Sequence, residues 1–261
     1  MKLNSTILES VLYWLSKNLL TAYSLLSFKI NLISEEEIPP GPKIFAINHP
    51  TTSDPFISIV YLKNKVHILV LESLFKIPVF GFILKHTGQI PVNPQKGIDA
   101  FLKAKSLLEK GKSVVVFAEG KISSAECSEN RPKTGAARLA LETNALIIPI
   151  GIGIDSEKIK LGSSKASGNH DPFAYWYLNG PYVVSIGKAI RLRGSTQNRD
   201  NVCFFSKIIM DEIWELTEKS KFRLELKNRK LYQANFNNFI LQKSLIRVLN
   251  QIVLAVGLFR H

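Results

Sequence analysis

Residues 43–56 read KIFAINHPTTSDPF. Ile44, Phe45, Ala46 and Ile47 make a short apolar run that is too uniformly hydrophobic to be half exposed, so 43–48 reads as a buried strand. Ser53 and Asp54 are both good helix N-caps, and the apolar positions that follow fit a helix over 53–62. The stretch is therefore strand, turn, helix. His49 falls in the turn at the carboxyl end of a strand, where open α/β sheets bind their ligands. Asp54 lies five residues on, close enough for a short loop to fold its carboxylate onto the imidazole. Such a pair holds one tautomer, stabilises the imidazolium and leaves the second ring nitrogen to take a proton.

The same alternation continues outward. Residues 66–71, 88–92, 113–117, 145–151 and 182–186 read as further strands, and 74–85, 97–109 and 134–142 as helices. The clearest helix is 97–109, with Ile98, Phe101, Leu102, Ala104, Leu107 and Leu108 toward one side. The pattern predicts an α/β domain with a mostly parallel central sheet flanked by helices. Before it, residues 6–33 carry Leu8, Val11, Leu12, Leu15, Leu19, Tyr23, Leu26 and Ile30 at helical spacing, opposite Glu9, Ser16, Lys17 and Asn18. That is the pattern of an amphipathic helix, and its aromatics and lysines suit a membrane interface. The acidic, proline-rich 34–42 ends it. Residues 158–171 are polar and rich in glycine and serine, as in a mobile loop. Residues 201–220 return to helix. The tail 231–261 carries a second apolar side through Leu245, Ile246, Leu249, Ile252, Val253, Val256 and Phe259. The expected organisation is an N-terminal amphipathic segment over 1–34, a catalytic α/β domain over 35–220 and a helical, membrane-associated tail over 221–261.

Composition narrows the partners. Lys and Arg number 34 against 21 Asp and Glu, a formal charge of +13. Such a chain attracts polyanions, lipid surfaces or phosphorylated ligands. Nucleic acid is disfavoured, because the basic residues are scattered and the aromatics cluster at the apolar termini. Two cysteines, Cys127 and Cys203, make no disulfide framework and no C-x-x-C pair. No stretch reaches the ~18 apolar residues of a spanning helix, so any membrane contact is expected at the surface. Gly-x-Ser-x-Gly, Gly-x-Gly-x-x-Gly and phosphate-loop motifs are absent, which disfavours serine hydrolysis and nucleotide use. The five histidines show no metal-ligand spacing.

A second chemical element is Val116-Phe117-Ala118-Glu119-Gly120-Lys121-Ile122-Ser123. Here an apolar strand delivers a carboxylate and a glycine to a sheet edge. In order along the chain, these elements resemble the glycerolipid acyltransferase family, whose best-known members acylate lysophosphatidate. Asn48-His49 to Asp54 matches the family's His-x-x-x-x-Asp block. Gly88-Gln89-Ile90-Pro91-Val92-Asn93 resembles the second motif, Phe117-Ala118-Glu119-Gly120 the third (normally Phe-Pro-Glu-Gly), and Ile147-Ile148-Pro149-Ile150 the fourth. Lys133-Thr134-Gly135 resembles the Lys-x-Gly stretch that follows the third. The ordered set of four is far more specific than any one of them.

The resemblance implies direct acyl transfer from a thioester to a lipid hydroxyl, with His49 as base and Asp54 as its support. It implies a substrate site that draws on Glu119, Gly120, Lys121, Gly88, Asn93 and Lys96, with an oxyanion donor near Gly120 or the start of the Asp54 helix. It implies acyl-CoA or acyl carrier protein as donor, a lysolipid acceptor, no metal or cofactor, and peripheral association with the cytoplasmic face of a membrane. The acidic carrier would meet a basic surface drawn from Lys103, Lys105, Lys110, Lys112, Arg131, Lys133 and Arg138. Two departures bear on the acceptor. Pro94 and Ile122 stand where the family commonly has arginines that are thought to grip the acceptor phosphate. An arginine's bidentate fork is only approximated by a lysine such as Lys121 or Lys96.

Overall fold

The computed structural model describes residues 5–93, 95–120, 122, 132–163 and 173–258. Lys121, Pro94, Arg131 and most of the expected 158–171 loop lie outside them. The chain divides into two units, Met1–Lys221 and Phe222–His261.

In chain order the elements of the first unit are α1 (Ser5–Ser27), β1 (Phe28–Ser34), β2 (Lys43–Ile47), α2 (Asp54–Tyr61), β3 (Val66–Leu71), a 3₁₀ turn (Glu72–Lys76), α3 (Phe80–His86), β4 (Ile90–Val92), α4 (Gly97–Glu109), β5 (Ser113–Phe117), α5 (Gly135–Thr143), β6 (Leu146–Ile154), β7 (Lys160–Ser163), β8 (Phe173–Trp176), β9 (Gly180–Ile186) and the start of α6 (Arg199–Leu258). Seven strands form one sheet in the order β1-β9-β6-β2-β5-β3-β4. Only the β6–β9 pair is antiparallel. The expected α/β fold with a mostly parallel sheet is what forms.

Period-two alternation splits each central strand between two cores. Ile44 and Ala46 of β2 join Val114, Val116, Ala104, Ala137 and Ile213 on one face. Phe45 and Ile47 join Ile57, Val115, Phe117, Tyr177 and Tyr182 on the other. α6 approaches β6 so closely that a Cβ on Gly151 would lie 2.2 Å from the Leu216 carbonyl carbon, and one on Gly153 would lie 2.7 Å from the Lys221 amide. Only glycine permits that approach.

Three local expectations need correction. The helix expected over 6–33 stops at Ser27, and 28–34 is an edge strand paired in parallel with β9. Phe28, Ile30 and Leu32 fit both periods, and the open edge of β9 selects the extended one. Residues 28–34 are thus part of the sheet. The helix expected over 74–85 is broken at Pro78, which cannot donate in a helix interior. Val79 there has φ 64, and the Phe80 amide donates to the Pro78 carbonyl at 2.6 Å, a strained three-residue γ-turn. Part of the expected mobile loop, 160–163, is β7, paired antiparallel with β8.

α1 is inside out relative to its amphipathic pattern. Tyr13, Lys17 and Ser24 are buried, with the Lys17 ammonium on the Leu62 and Lys63 carbonyls beyond α2. Val11, Leu15, Leu19, Leu25 and Leu26 face outward, Leu26 being 90% exposed.

In the second unit the chain is helical to Leu258, and the side chains assigned to the tail's apolar side lie outside the described residues.

Candidate active site

β2 and β5 run in parallel with Ile47 opposite Phe117, and the ladder extends by one bond as the Ala118 amide donates to the Ile47 carbonyl at 3.0 Å. Both strands therefore release their chains at the same edge. One delivers His49, the other Glu119 and Gly120. The His49 ring stacks on Phe117 at 4.1 Å between centroids, tilted by 22°.

The turn between β2 and α2 is tied down at several residues. The Asn48 amide donates to the Ile152 carbonyl at 3.0 Å, and its oxygen accepts from the Ile152 amide at 2.7 Å, so a side chain continues the β2–β6 ladder. Thr52 exchanges two bonds with Tyr175 of β8: its amide donates to the Tyr175 carbonyl at 2.8 Å, and its hydroxyl accepts from the Tyr175 amide at 3.0 Å. The Ser53 hydroxyl accepts from the Tyr177 amide at 3.1 Å.

Asp54 is fully buried. A buried carboxylate is tolerable only when donors satisfy it. Its Oδ2 accepts from the Thr51 amide at 2.6 Å and meets His49 Nδ1 at 3.1 Å. Its Oδ1 accepts from the hydroxyls of Thr51 and Tyr182, both at 2.9 Å. Because a carboxylate only accepts, the His49 tautomer that completes the pair carries its proton on Nδ1. The Nε2 lone pair then points away from Asp54.

The Glu119–Gly120 turn lies on the same edge. Gly120 has φ 68, and a Cβ there would come within 2.8 Å of Lys133 Cγ and 3.1 Å of its Cε. Lys133 is held by its own amide, which donates to the Ala118 carbonyl at 3.2 Å. A cation thus ends beside the turn. At the two places expected to offer an oxyanion donor, the Gly120 amide donates to the Phe117 carbonyl at 3.0 Å and the Asp54 amide to the Thr51 carbonyl at 3.3 Å.

The other expected site residues lie farther off. Asn93 and Lys96 follow β4, which is three strands from β2, roughly 14 Å at the usual strand spacing. Asn93 donates to Glu72 at 2.9 Å, and Lys96 is exposed. Gly88 precedes β4 and lies at the opposite, amino-terminal edge of the sheet. Its carbonyl accepts from His67 at 2.7 Å. Of the basic set, Lys105 pairs with Glu142 at 2.9 Å and Arg138 lies over the Phe101 ring.

Sequence reasoning missed Tyr182, which is 128 residues from Asp54, and the bracing by Tyr175 and Tyr177. A tyrosine in a mostly apolar buried strand was the available signal, since a buried hydroxyl needs a partner.

A family model described as Acyltransferase matches residues 29–153. A chloroplastic 1-acyl-sn-glycerol-3-phosphate acyltransferase of Arabidopsis thaliana is 27% identical over 148 residues, covering 55% of this chain and 41% of the relative. A 1-acyl-sn-glycerol-3-phosphate acyltransferase of Chlamydomonas reinhardtii is 24% identical, covering 67% of this chain and 50% of the relative. The chain thus spans half the length or less of these curated relatives. The crystal structure of the 1-acyl-sn-glycerophosphate acyltransferase PlsC from Thermotoga maritima superposes with a TM-score of 0.58 at 15% identity, over 82% of this chain and 80% of that one. At that identity the likeness establishes the fold.

Proposed function

We propose that the chain, which matches the Acyltransferase family model over residues 29–153, belongs to the glycerolipid acyltransferase family and is a membrane-surface O-acyltransferase of phospholipid synthesis. It moves a fatty acyl group from an acyl thioester to the hydroxyl of a lysophospholipid-type acceptor, foremost 1-acylglycerol-3-phosphate. The donor is carried on coenzyme A or acyl carrier protein. The observation that carries the reading is the 3.1 Å contact of His49 Nδ1 with buried Asp54 at the carboxyl end of β2.

With its Nδ1 proton held toward Asp54, His49 accepts the acceptor's hydroxyl proton at Nε2 as that oxygen attacks the thioester carbonyl. The tetrahedral adduct expels the thiolate, which takes the proton back from the imidazolium. Ester and thiol leave, and His49 is neutral again. Asp54 supports the transient positive charge. Glu119 and Gly120 shape the acceptor side, and Lys133 supplies a cation there. Lys96, three strands away, is less suited to that role. A second reading, transfer to an acceptor without a phosphomonoester, is favoured by Pro94 and Ile122 in place of arginines.

The membrane mode rests on α1. Its outward Val11, Trp14, Leu15, Leu19, Leu25 and Leu26 form an apolar face on a helix that packs on α3, where Val79 and Phe82 are also exposed. An exposed apolar patch of this kind marks a contact surface, and lipid suits one that carries Trp14 and Tyr23. No described helix is long and apolar enough to cross a membrane. The orientation proposed is peripheral, on the cytoplasmic face. Leu15→Glu with Leu19→Glu should abolish flotation with anionic liposomes and leave the fold intact; unchanged flotation would count against α1. Deleting 1–34 is a poor test, because it also removes β1.

The decisive assay uses purified protein and His49→Ala with palmitoyl and oleoyl thioesters of both carriers. Acceptors are lysophosphatidate and lysolipids without a phosphomonoester. Transfer lost in the variant supports the reading, and the acceptor used separates its two forms. No transfer from any pairing would overturn it.

A further inference from the structure

We infer that Tyr182 is a positioning residue for His49, acting across the buried carboxylate of Asp54. The inference rests on the reading of His49 as the base. Tyr182 sits in the middle of β9, opposite Ile154 on one side and Ile30 on the other, and is fully buried. Its ring is packed against Phe28 and Tyr177. Its hydroxyl therefore reaches Asp54 Oδ1 at 2.9 Å from a rigid strand, not from a loop.

The four donors on Asp54 divide into two kinds. Thr51 supplies two of them, and Thr51 belongs to the same turn as His49. Among the described residues Tyr182 alone ties the carboxylate to the sheet from outside that turn, so it fixes the plane of the carboxyl group and hence the direction of Oδ2 toward Nδ1. It also acts electronically. A hydrogen bond to Oδ1 draws charge away from Oδ2 and makes Asp54 a weaker support for the imidazolium. Burial first, and then the Asp54 charge, push the Tyr182 phenol well above its usual range, so it stays a donor wherever the protein works. The other titratable groups about the pair are Tyr61 of α2, Tyr177 ahead of β9 and Glu119 after β5. The Tyr61 hydroxyl is equally buried and has no hydrogen-bond partner among the described residues. That makes it an internal control: a buried phenol in the same neighbourhood without the bond.

The test is the titration of His49 followed by NMR of the labelled imidazole, together with the pH profile of kcat/KM. Tyr182→Phe keeps the ring and removes the donor. The His49 midpoint should rise by about half a unit or more. kcat should fall roughly tenfold with KM little changed, the mark of an interaction made in the transition state. Replacing Tyr182 with 3-fluorotyrosine, a stronger donor, should move the midpoint down, and this variant still reads out the idea if Tyr182→Phe fails to fold. Tyr61→Phe should leave the midpoint in place. A His49 midpoint unmoved by both changes at 182, or moved equally by Tyr61→Phe, would overturn the inference. The NMR readout needs no turnover. If His49→Ala retains acyl transfer, the proposed chemistry fails by itself, and the titration still decides whether Tyr182 governs His49.

Discussion

His49 and His67 lie at opposite edges of the same mostly parallel sheet. One stands just past the carboxyl end of β2, the other second from the amino end of β3. Each presents Nδ1 to an acceptor, at 3.1 Å to the Asp54 carboxylate and at 2.7 Å to the Gly88 carbonyl. The acceptors make the difference. A carboxylate stabilises the imidazolium, so His49 is equipped to gain a proton and give it back. A backbone carbonyl in a buried setting cannot offset the loss of hydration. Burial, seconded by the nearby Lys65 and Lys112 charges, holds the His67 imidazole below its ordinary range. His67 is 1% exposed, and its Nε2 is buried without a hydrogen-bond partner among the described residues. In the proposed reading the same side chain is reaction machinery at one edge and a structural pin at the other.

The contrast is most exposed to test at His49. His49→Ala should lower turnover by ~10²–10⁴ and leave the unfolding midpoint nearly unchanged, whereas His67→Phe should do the reverse, with kcat within about twofold. Retained turnover in His49→Ala would erase the distinction. Asp54→Asn comes next, with an expected loss on the order of 10²–10³ in kcat, because an amide can present its N–H to Nδ1 and stabilise the wrong tautomer. Denaturant titration should also register the lost charge-assisted bonds.

Two of the glycines with positive φ, Gly88 and Gly120, sharpen the comparison at smaller amplitude. Gly88→Ala meets Glu9 Oε1 at 2.7 Å and the His67 ring at 3.1 Å, and its φ is 78. It should cost about 1–3 kcal/mol of stability in urea titrations, with kcat little altered. Gly120→Ala meets only the flexible Lys133 stem, so its larger signature should be in the acceptor KM. Equal effects on both readouts would blur the two edges. The smallest effect is pH dependence. His67 has a folded pKa below its unfolded one, so its contribution is fully present above about pH 6.5 and is lost as pH falls through the depressed folded value. Unfolding free energy should therefore drop on acidification from neutral pH. His67→Phe should flatten that slope.

The His49–Asp54 contact was legible because its parts are local. Strand, turn and N-cap lie within residues 43–56, and a five-residue spacing constrains where Asp54 can sit relative to His49. Glu119 and Gly120 were legible for the same reason, as the end of the uniformly apolar β5. Gly88 was not, because a motif match carries no information about which end of a strand a residue occupies. The three strand spacings between β2 and the strand before Lys96 were also hidden, since distance in sequence does not count the strands between. The face that α1 turns outward was also hidden. Its pattern shows two unlike sides, but which side packs depended on Lys17 finding the carbonyls beyond α2.

By itself the sequence determined the alternation of elements, the buried central strands and the His49–Asp54 turn, because period, caps and short spacings are local physics. Tertiary structure alone decided strand order, the conversion of 28–34 from apparent helix to edge strand, and the reach of Tyr182 to Asp54. Those depend on which distant surfaces meet, and a contact across 128 residues leaves no periodicity in the chain to read.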